Sequence, residues 1–318
     1  MIPIFLNISL RGKPLDISFV RRSTRKVVLS LVTNICLCLF FILFGLGSIS
    51  NASSSKKTDW ERDALVGAVQ RVVERTYSPD ATKSIMVVTS HYDRKGRKIE
   101  LDISFLDKEK AERNHESRFI ISYDDNDRPV EQKGYSDDAR LTSRDVYSYD
   151  AQGKRIEHVS YASDGSEGKK WLYAYDNRGN KKEEKYYLLG DLKQRLVNDY
   201  DDRGNLNKTT TYKNDGSLQD TTFYKYDNEN RLNEITYFSA GDIIQSRRVY
   251  MYSGNSRLLT EDVLYSAEGL MKSREVYSYE NDKKGNWIKR TVSKWTIEFG
   301  KPRLESTQIT DRAITYYE

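Results

Sequence analysis

Aromatic and polar positions alternate through most of this chain. Tyr147 and Tyr149, then Trp171, Tyr173 and Tyr175, then the pairs Tyr224/Tyr226, Tyr250/Tyr252 and Tyr277/Tyr279 fall at i, i+2 spacing. Between them stand Ser148, Leu172 and Ala174, Lys225, Met251 and Ser278. A period of two places the aromatics on one face of an extended backbone and leaves a mixed opposite face, the signature of a half-buried β-strand. The pattern repeats. Tyr-Asp pairs or their variants begin at Tyr92, Tyr123, Tyr149, Tyr175, Tyr200, Tyr226, Tyr252 and Tyr279, and from Tyr123 onward the steps are 26, 26, 25, 26, 26 and 27 residues. A second aromatic lies near the middle of each step, at Tyr135, Tyr161, Tyr187, Tyr212, Tyr237 and Tyr265. The elementary unit is therefore one strand and one reversal, about thirteen residues long.

The reversals have their own chemistry. The fourth residue after the key tyrosine is Gly96, Gly153, Gly165, Gly179, Gly204, Gly216, Gly241 or Gly269, and where glycine is missing Asp127, Asp191 or Asn230 replaces it. Asp opening a type I turn, followed by a residue in the left-handed region, describes a short hairpin loop with a bulge. Tyr252 and Tyr279 have Ser256 and Lys283 at the fourth place, which predicts looser corners there. Consecutive hairpins make an antiparallel meander of roughly 17 strands. Left unclosed, it would run near 80 Å, and right-handed twist would coil it, so that it winds into a shell or spiral, closes into a barrel or stays an open twisted sheet. The expected fold is all-β: an antiparallel meander forming a curled or coiled sheet or shell, with the aromatic face inside, preceded by an N-terminal apolar helix.

Upstream the period changes. Thr58 and Glu61 have capping-box spacing, and Trp60, Ala64, Ala68 and Val72 share a helical face. The phase of Tyr77 and Asp80 nevertheless matches that of Tyr161 and Asp164, which predicts a short helix near residues 58–66, a break at Gly67 and a first strand over 69–77. Further upstream, residues 27–47 are almost wholly apolar, follow a basic lead and precede the small residues Ser50 and Ala52. That order describes a signal peptide cut after Ala52 or an uncleaved membrane anchor, with the following chain exported in both cases. The expected organisation is a signal or anchor over 1–52, a lead segment over 53–68 and a repeat domain over 69–318.

Composition changes the picture in two places. The formal charge of +5 comes from the leader: of 52 basic and 47 acidic residues, 6 and 1 lie in residues 1–52, leaving 46 of each in the rest. A balanced body lacks the cationic excess that displaces counterions from nucleic acid, so no nucleic-acid partner is expected. Both cysteines, Cys36 and Cys38, lie in the apolar run, so the exported body has no disulfide framework.

The phrases YDNRGN, YDDRGN and YDAQGK resemble those of the bacterial YD-repeat (RHS-like) proteins. The closing stretch from Lys283 to Glu318 looks like the C-terminal end of small exported members of that group, and WERDALVGAVQRVV is similar to their entry segment. The resemblance covers about residues 60–318. It implies an extracytoplasmic β-rich repeat protein, and in the large relatives the repeats form a hollow shell around a toxin.

Catalytic chemistry is sparse. His91, His115 and His158 are the only histidines, and none has zinc-ligand spacing. No G-x-S-x-G elbow and no phosphate-cradling glycine motif occurs. The acidic groups Asp124, Asp125 and Asp127, and Asp199, Asp201 and Asp202, could offer carboxylates to calcium, but they fall where corners want aspartate. The tyrosine face reads either as core or as a stacking platform for sugars or peptides. No catalytic residue, metal or cofactor is expected, and no binding residue is singled out. The expected function is a non-enzymatic binding or scaffold module in the periplasm or at the cell surface. Its partner would be a protein or an envelope glycan, and membrane contact would come only through residues 27–47. An immunity or chaperone-like partner of an exported toxin, and a glycan-active enzyme, are the alternatives.

Overall fold

The structure is a computed structural model, described over residues 58–79, 84–107, 113–298 and 300–318. The chain divides into two units, residues 1–50 and 51–318, and the described residues belong to the second. The apolar helix and signal expected within residues 1–52 lie outside them. Among the described residues no helix is long and apolar enough to cross a membrane.

Among the described residues the one helix is α1 (Asp59–Arg62). Thr58 and Glu61 close the capping box their spacing announced, each satisfying a backbone N–H of the other. The turn stops at once because Ala64 and Gly67 take left-handed backbone, with φ of 54° and 91°. Eighteen strands follow. They are β1 (Val69–Tyr77), β2 (Ser84–Tyr92), β3 (Lys98–Asp107), β4 (Arg113–Tyr123), β5 (Pro129–Tyr135) and β6 (Leu141–Tyr149). Next come β7 (Arg155–Ala162), β8 (Glu167–Tyr175), β9 (Lys181–Leu188), β10 (Asp191–Tyr200), β11 (Leu206–Lys213) and β12 (Leu218–Tyr226). The last are β13 (Leu232–Ser239), β14 (Ile243–Tyr252), β15 (Leu259–Ser266), β16 (Met271–Asn281), β17 (Trp287–Glu298) and β18 (Lys301–Tyr316).

Each strand pairs antiparallel with its sequence neighbours, and β18 pairs with β1, from Val69 opposite Tyr316 to Tyr77 opposite Ile309. The sheet is therefore a closed barrel, and the expectation of a curled or coiled sheet or shell is corrected. Two features explain closure. An even strand count lets the last strand meet the first antiparallel. A register shift interrupts the ladder at nearly every hairpin, as between Ser148 and Tyr149, and such bulges bend and twist a sheet enough to bring its edges together.

The corners behave as their residues dictate. At Asp93 the N–H donates to the Arg97 carbonyl and Gly96 N–H to the Asp93 carbonyl, and the same pair of bonds recurs at Asp124, Asp150, Asp176, Asp201 and Asp227. Asp127 and Asn230 take φ of 57° and 62° in place of glycine. Two expectations fail. Asp191 is not a corner residue; Leu189 and Gly190 turn the chain there, with φ of 51° and 85°. The Tyr279 corner is not loose, because β16 runs two residues further and the ordinary turn forms at Asp282 and Gly285. Of the two corners expected to be loose, the Tyr252 corner is longer, Ser253 N–H reaching the Leu258 carbonyl.

Eighteen strands at about 4.8 Å, tilted about 40°, give a perimeter whose circular section is roughly 35 Å across. Twelve apolar side chains are buried among the described residues, few for so long a chain, and Ser117 and Gln308 on the inner face are exposed. The one apolar cluster joins Leu65, Val69, Val72 and Tyr92 with Trp60, Ile314 and Tyr316. It sits where residues 58–68 strap one rim beside the β1–β18 seam. Asn286 holds the strap, accepting from Val66 N–H at 2.7 Å and donating to the Val66 carbonyl at 2.9 Å.

Candidate functional site

The wall has two unlike faces, and residues directly opposite in the ladder share one. The tyrosines of the i, i+2 pairs lie on the inner face with Val72, Ile314 and Tyr92, on which the strap packs. Burial is the leading cause that raises the hydroxyls of Tyr147, Tyr173, Tyr226, Tyr250 and Tyr277 above their ordinary range. Tyr200 is pushed up to about 12 by burial and by Asp176. These phenols stay protonated and cannot serve as bases near neutral pH.

Each corner is tied to the next by one recurring device. The tyrosine hydroxyl donates to a carbonyl one repeat back: Tyr123 to Lys98, Tyr149 to Pro129, Tyr175 to Arg155, Tyr200 to Lys181, Tyr226 to Leu206 and Tyr252 to Leu232, at 2.6–3.0 Å. The residue just before that carbonyl reaches back to the corner aspartate. Arg97, Arg128 and Arg231 bind Asp93, Asp124 and Asp227, while Asn180 and Asn205 bind Asp176 and Asp201. Arg97, Arg128, Lys154 and Arg231 also cover the rings of Tyr123, Tyr149, Tyr175 and Tyr252, with 4.7–5.3 Å to the centroid. The YD phrase is thus a latch: aspartate shapes the corner, its cation lies on the next tyrosine, and that tyrosine bonds back.

Part of the aromatic face is stacked upon itself. Tyr147, His158, Trp171 and Tyr186 form a ladder across β6–β9, with centroids 4.7, 4.5 and 5.2 Å apart. The His158–Trp171 planes differ by 13°. Rings stacked at strand spacing face one another along the wall, and Arg155 covers Tyr147 at 4.3 Å. Within this ladder the ring faces are spent on neighbours, so it offers no free face for a sugar. His158 Nε2 lies 2.8 Å from Asp145, and both side chains are nearly buried.

The outer face carries a belt that sequence reading missed. Five residues before the corner tyrosine stand Arg118, Arg144, Lys170, Arg195, Arg247 and Arg274. An odd offset along a strand turns them outward. Arg118, Arg144, Arg195, Arg247 and Arg274 pair with Glu100, Glu131, Glu183, Glu234 and Glu261 on the preceding strand, at 2.6–3.3 Å. Arg144, Lys170, Arg195 and Arg247 also lie over Tyr161, Tyr187, Tyr212 and Tyr265 on the following strand. A charged residue at the midplane of a lipid-facing barrel costs about 2–4 kcal/mol. A mid-strand belt of such residues makes this outer wall one for water. Its signal was legible as a second 26-residue period, of basic residues.

The acidic groups weighed for calcium come apart. Asp124 and Asp201 accept backbone N–H groups of their own corners, and Asp127 pairs with Lys95 and Arg97. Asp199 points outward toward Lys208, away from Asp201's corner. The structure does gather one set that spacing concealed: His91, Glu100 and Asp102, whose ligand atoms lie within 4.8 Å of one another. Counting back from the Asp93 corner puts His91 opposite Glu100, so register alone brings them together. Arg118 binds Glu100 and approaches Asp102, and Arg71 stands opposite His91, so the local formal charge is zero and the set fits a cation poorly. The side chain of His115 lies outside the described ones.

No family model matches the chain, and no curated protein matches it. Among solved structures, a porin-like protein from Bacteroides uniformis is 13% identical over 79% of this chain and 98% of its own, with a TM-score of 0.48. TcdB2-TccC3 is 12% identical over 71% of this chain and 17% of its own, at 0.26. A putative outer membrane lipoprotein-sorting protein domain from Vibrio parahaemolyticus is 8% identical over 80% and 89%, at 0.24. All three scores fall below 0.5, and nothing that follows rests on them.

Proposed function

We propose that the chain is an exported, non-enzymatic β-barrel of the YD-repeat kind that acts outside the cytoplasm as a binding or scaffold module, with a macromolecular partner held at the lumen or rim. The observation that carries this reading is the pairing of an inner face of tyrosines, threonines and ion pairs with a charged outer wall. A barrel whose two faces both suit water is a vessel or frame in an aqueous compartment rather than a lipid-embedded pore. The apolar run at residues 27–47 behind a basic lead supports export. The inner face offers exposed Gln308 and Ser117 beside fixed charges, and large concave repeat surfaces suit extended partners.

The test uses the full chain with Cys36 and Cys38 replaced by serine, expressed in bacteria. A cysteine at Arg195 on the outer wall should react with a membrane-impermeant thiol reagent in spheroplasts, and a photo-crosslinking residue at Gln308 should give discrete adducts. Labelling only after lysis would contradict the location. No adduct, with hydrolysis of a polysaccharide by the purified chain, would contradict the binding role.

A further inference from the structure

On the inner wall beside the seam, Arg290 of β17 lies opposite Tyr279 and Thr310, and Arg312 of β18 lies opposite Glu74. The two guanidiniums share one aromatic ring. Arg312 sits 3.5 Å and Arg290 5.2 Å from the Trp287 centroid, and Trp287 is buried. Their polar accounts are uneven. Arg312, its side chain 8% exposed, gives Nε and Nη2 to one Glu74 oxygen at 3.0 and 2.7 Å, while its Nη1 is buried without a partner. Arg290 Nε is likewise buried without a partner, and the only described contact of its guanidinium is the indole. Lys294, further along the same face, is taken by Glu305 at 3.0 Å. Glu275 also lies opposite Lys294 on this face, so it is Arg290 that stands without an ion-pair partner among the described residues.

A buried donor without an acceptor costs about 1–3 kcal/mol, and more when charged. The indole face offsets charge but accepts no in-plane N–H. A planar or tetrahedral oxyanion satisfies both needs, because guanidinium forks match carboxylate and phosphate oxygens. We propose that Arg290 and Arg312, stacked on Trp287, form an oxyanion site on the inner wall, taking a carboxylate, phosphate or sulfate group of a ligand in the lumen. The proposal deepens the binding-module reading and rests on it for the lumen's role. Arg290 is the recruiting charge and Arg312 the oriented second fork, with Glu74 holding it in place.

The experiment titrates the purified full chain with inorganic phosphate, and in a separate arm with acetate, at constant ionic strength set by sodium chloride. Calorimetry and the Trp287 indole N–H resonance are followed. Saturable binding with a shift of that resonance is expected in at least one arm, phosphate alone marking a phosphate or sulfate ligand and acetate a carboxylate. Arg290→Gln should weaken it at least about tenfold, while Arg274→Gln on the outer wall should leave it unchanged. Absence of saturable binding in both arms, a Trp287 resonance that stays fixed throughout, or full binding by Arg290→Gln would overturn the proposal. Adducts persisting at Gln308 in that case leave the binding module standing and remove only this ligand chemistry.

Discussion

The seam and the repeat wall hold the barrel in opposite ways. Across β6–β13 every contact is local: a corner fixes two strands, and a tyrosine latch and an outward Arg–Glu pair reach one strand further. At the seam, β1 meets β18 over more than 230 residues of sequence, and the bonds come with burial: Thr76 to Thr310, Tyr77 to Asp311 and Arg312 to Glu74, beside Val69 and Val72. The wall is many small equal parts; the seam is one joint whose ordering entropy is offset only when the strap and its apolar cluster form together.

The largest blow to this contrast is therefore at the seam. Val69→Asp places a carboxylate where no water reaches and should remove the cooperative unfolding transition, whereas Ile243→Asp, at a 63% exposed site on the opposite rim, should shift stability by less than about 0.5 kcal/mol. Urea titration followed by near-ultraviolet circular dichroism separates them. Next come two corner glycines with the same backbone. Gly96 and Gly204 have φ of 77° and 80°, but an added Cβ meets Trp60 at 2.7 Å at the first and nothing within 4 Å at the second. Gly204→Ala should cost about 1 kcal/mol for the left-handed backbone. Gly96→Ala should cost about 1–3 kcal/mol more, because the strap must move.

One latch is worth less still. Tyr175→Phe deletes the hydroxyl bond to the Arg155 carbonyl and should cost about 1 kcal/mol, with little change at the seam by hydrogen exchange. The smallest effect is acid sensitivity of the corners. Burial pushes the carboxyls of Asp176, Asp227 and Asp282 up, but hydrogen bonds from their corners more than offset it, and the net shift is downward. A carboxylate held low in the folded state stabilises fully above the unfolded value and less as pH falls through the folded one. Urea midpoints should therefore hold above about pH 5 and decline below about pH 4. Asp262 has the reverse sign: burial raises it despite Arg248, so its contribution is lost as pH rises through the folded value. Asp262→Asn should remove that gain on acidification, so the urea midpoint should begin to fall at a higher pH, above about pH 4.

Corners and faces were legible because turn chemistry and period-two alternation are local. Asp93 with Gly96, Thr58 with Glu61 and the break at Gly67 each act within five residues. Closure was not, since no residue near Val69 specifies Tyr316 as its partner; bulges at successive corners accumulate it. The Tyr279 corner misled because counting from tyrosine ignored a strand two residues longer, with Asp282 as the true first turn residue. His91 with Glu100, and Arg290 with Arg312, needed strand register, which a single sequence leaves open until the corner bulges are placed.

The closed seam is tested most directly by a disulfide. In the full chain with Cys36 and Cys38 changed to serine, Val73→Cys and Ala313→Cys occupy directly opposed positions on β1 and β18. Mild oxidation should join them within one molecule in high yield and raise the unfolding temperature, because the link closes a loop of more than 200 residues. A pair that stays reduced, or links only between molecules, would mean that the first and last strands do not meet and that the wall is open.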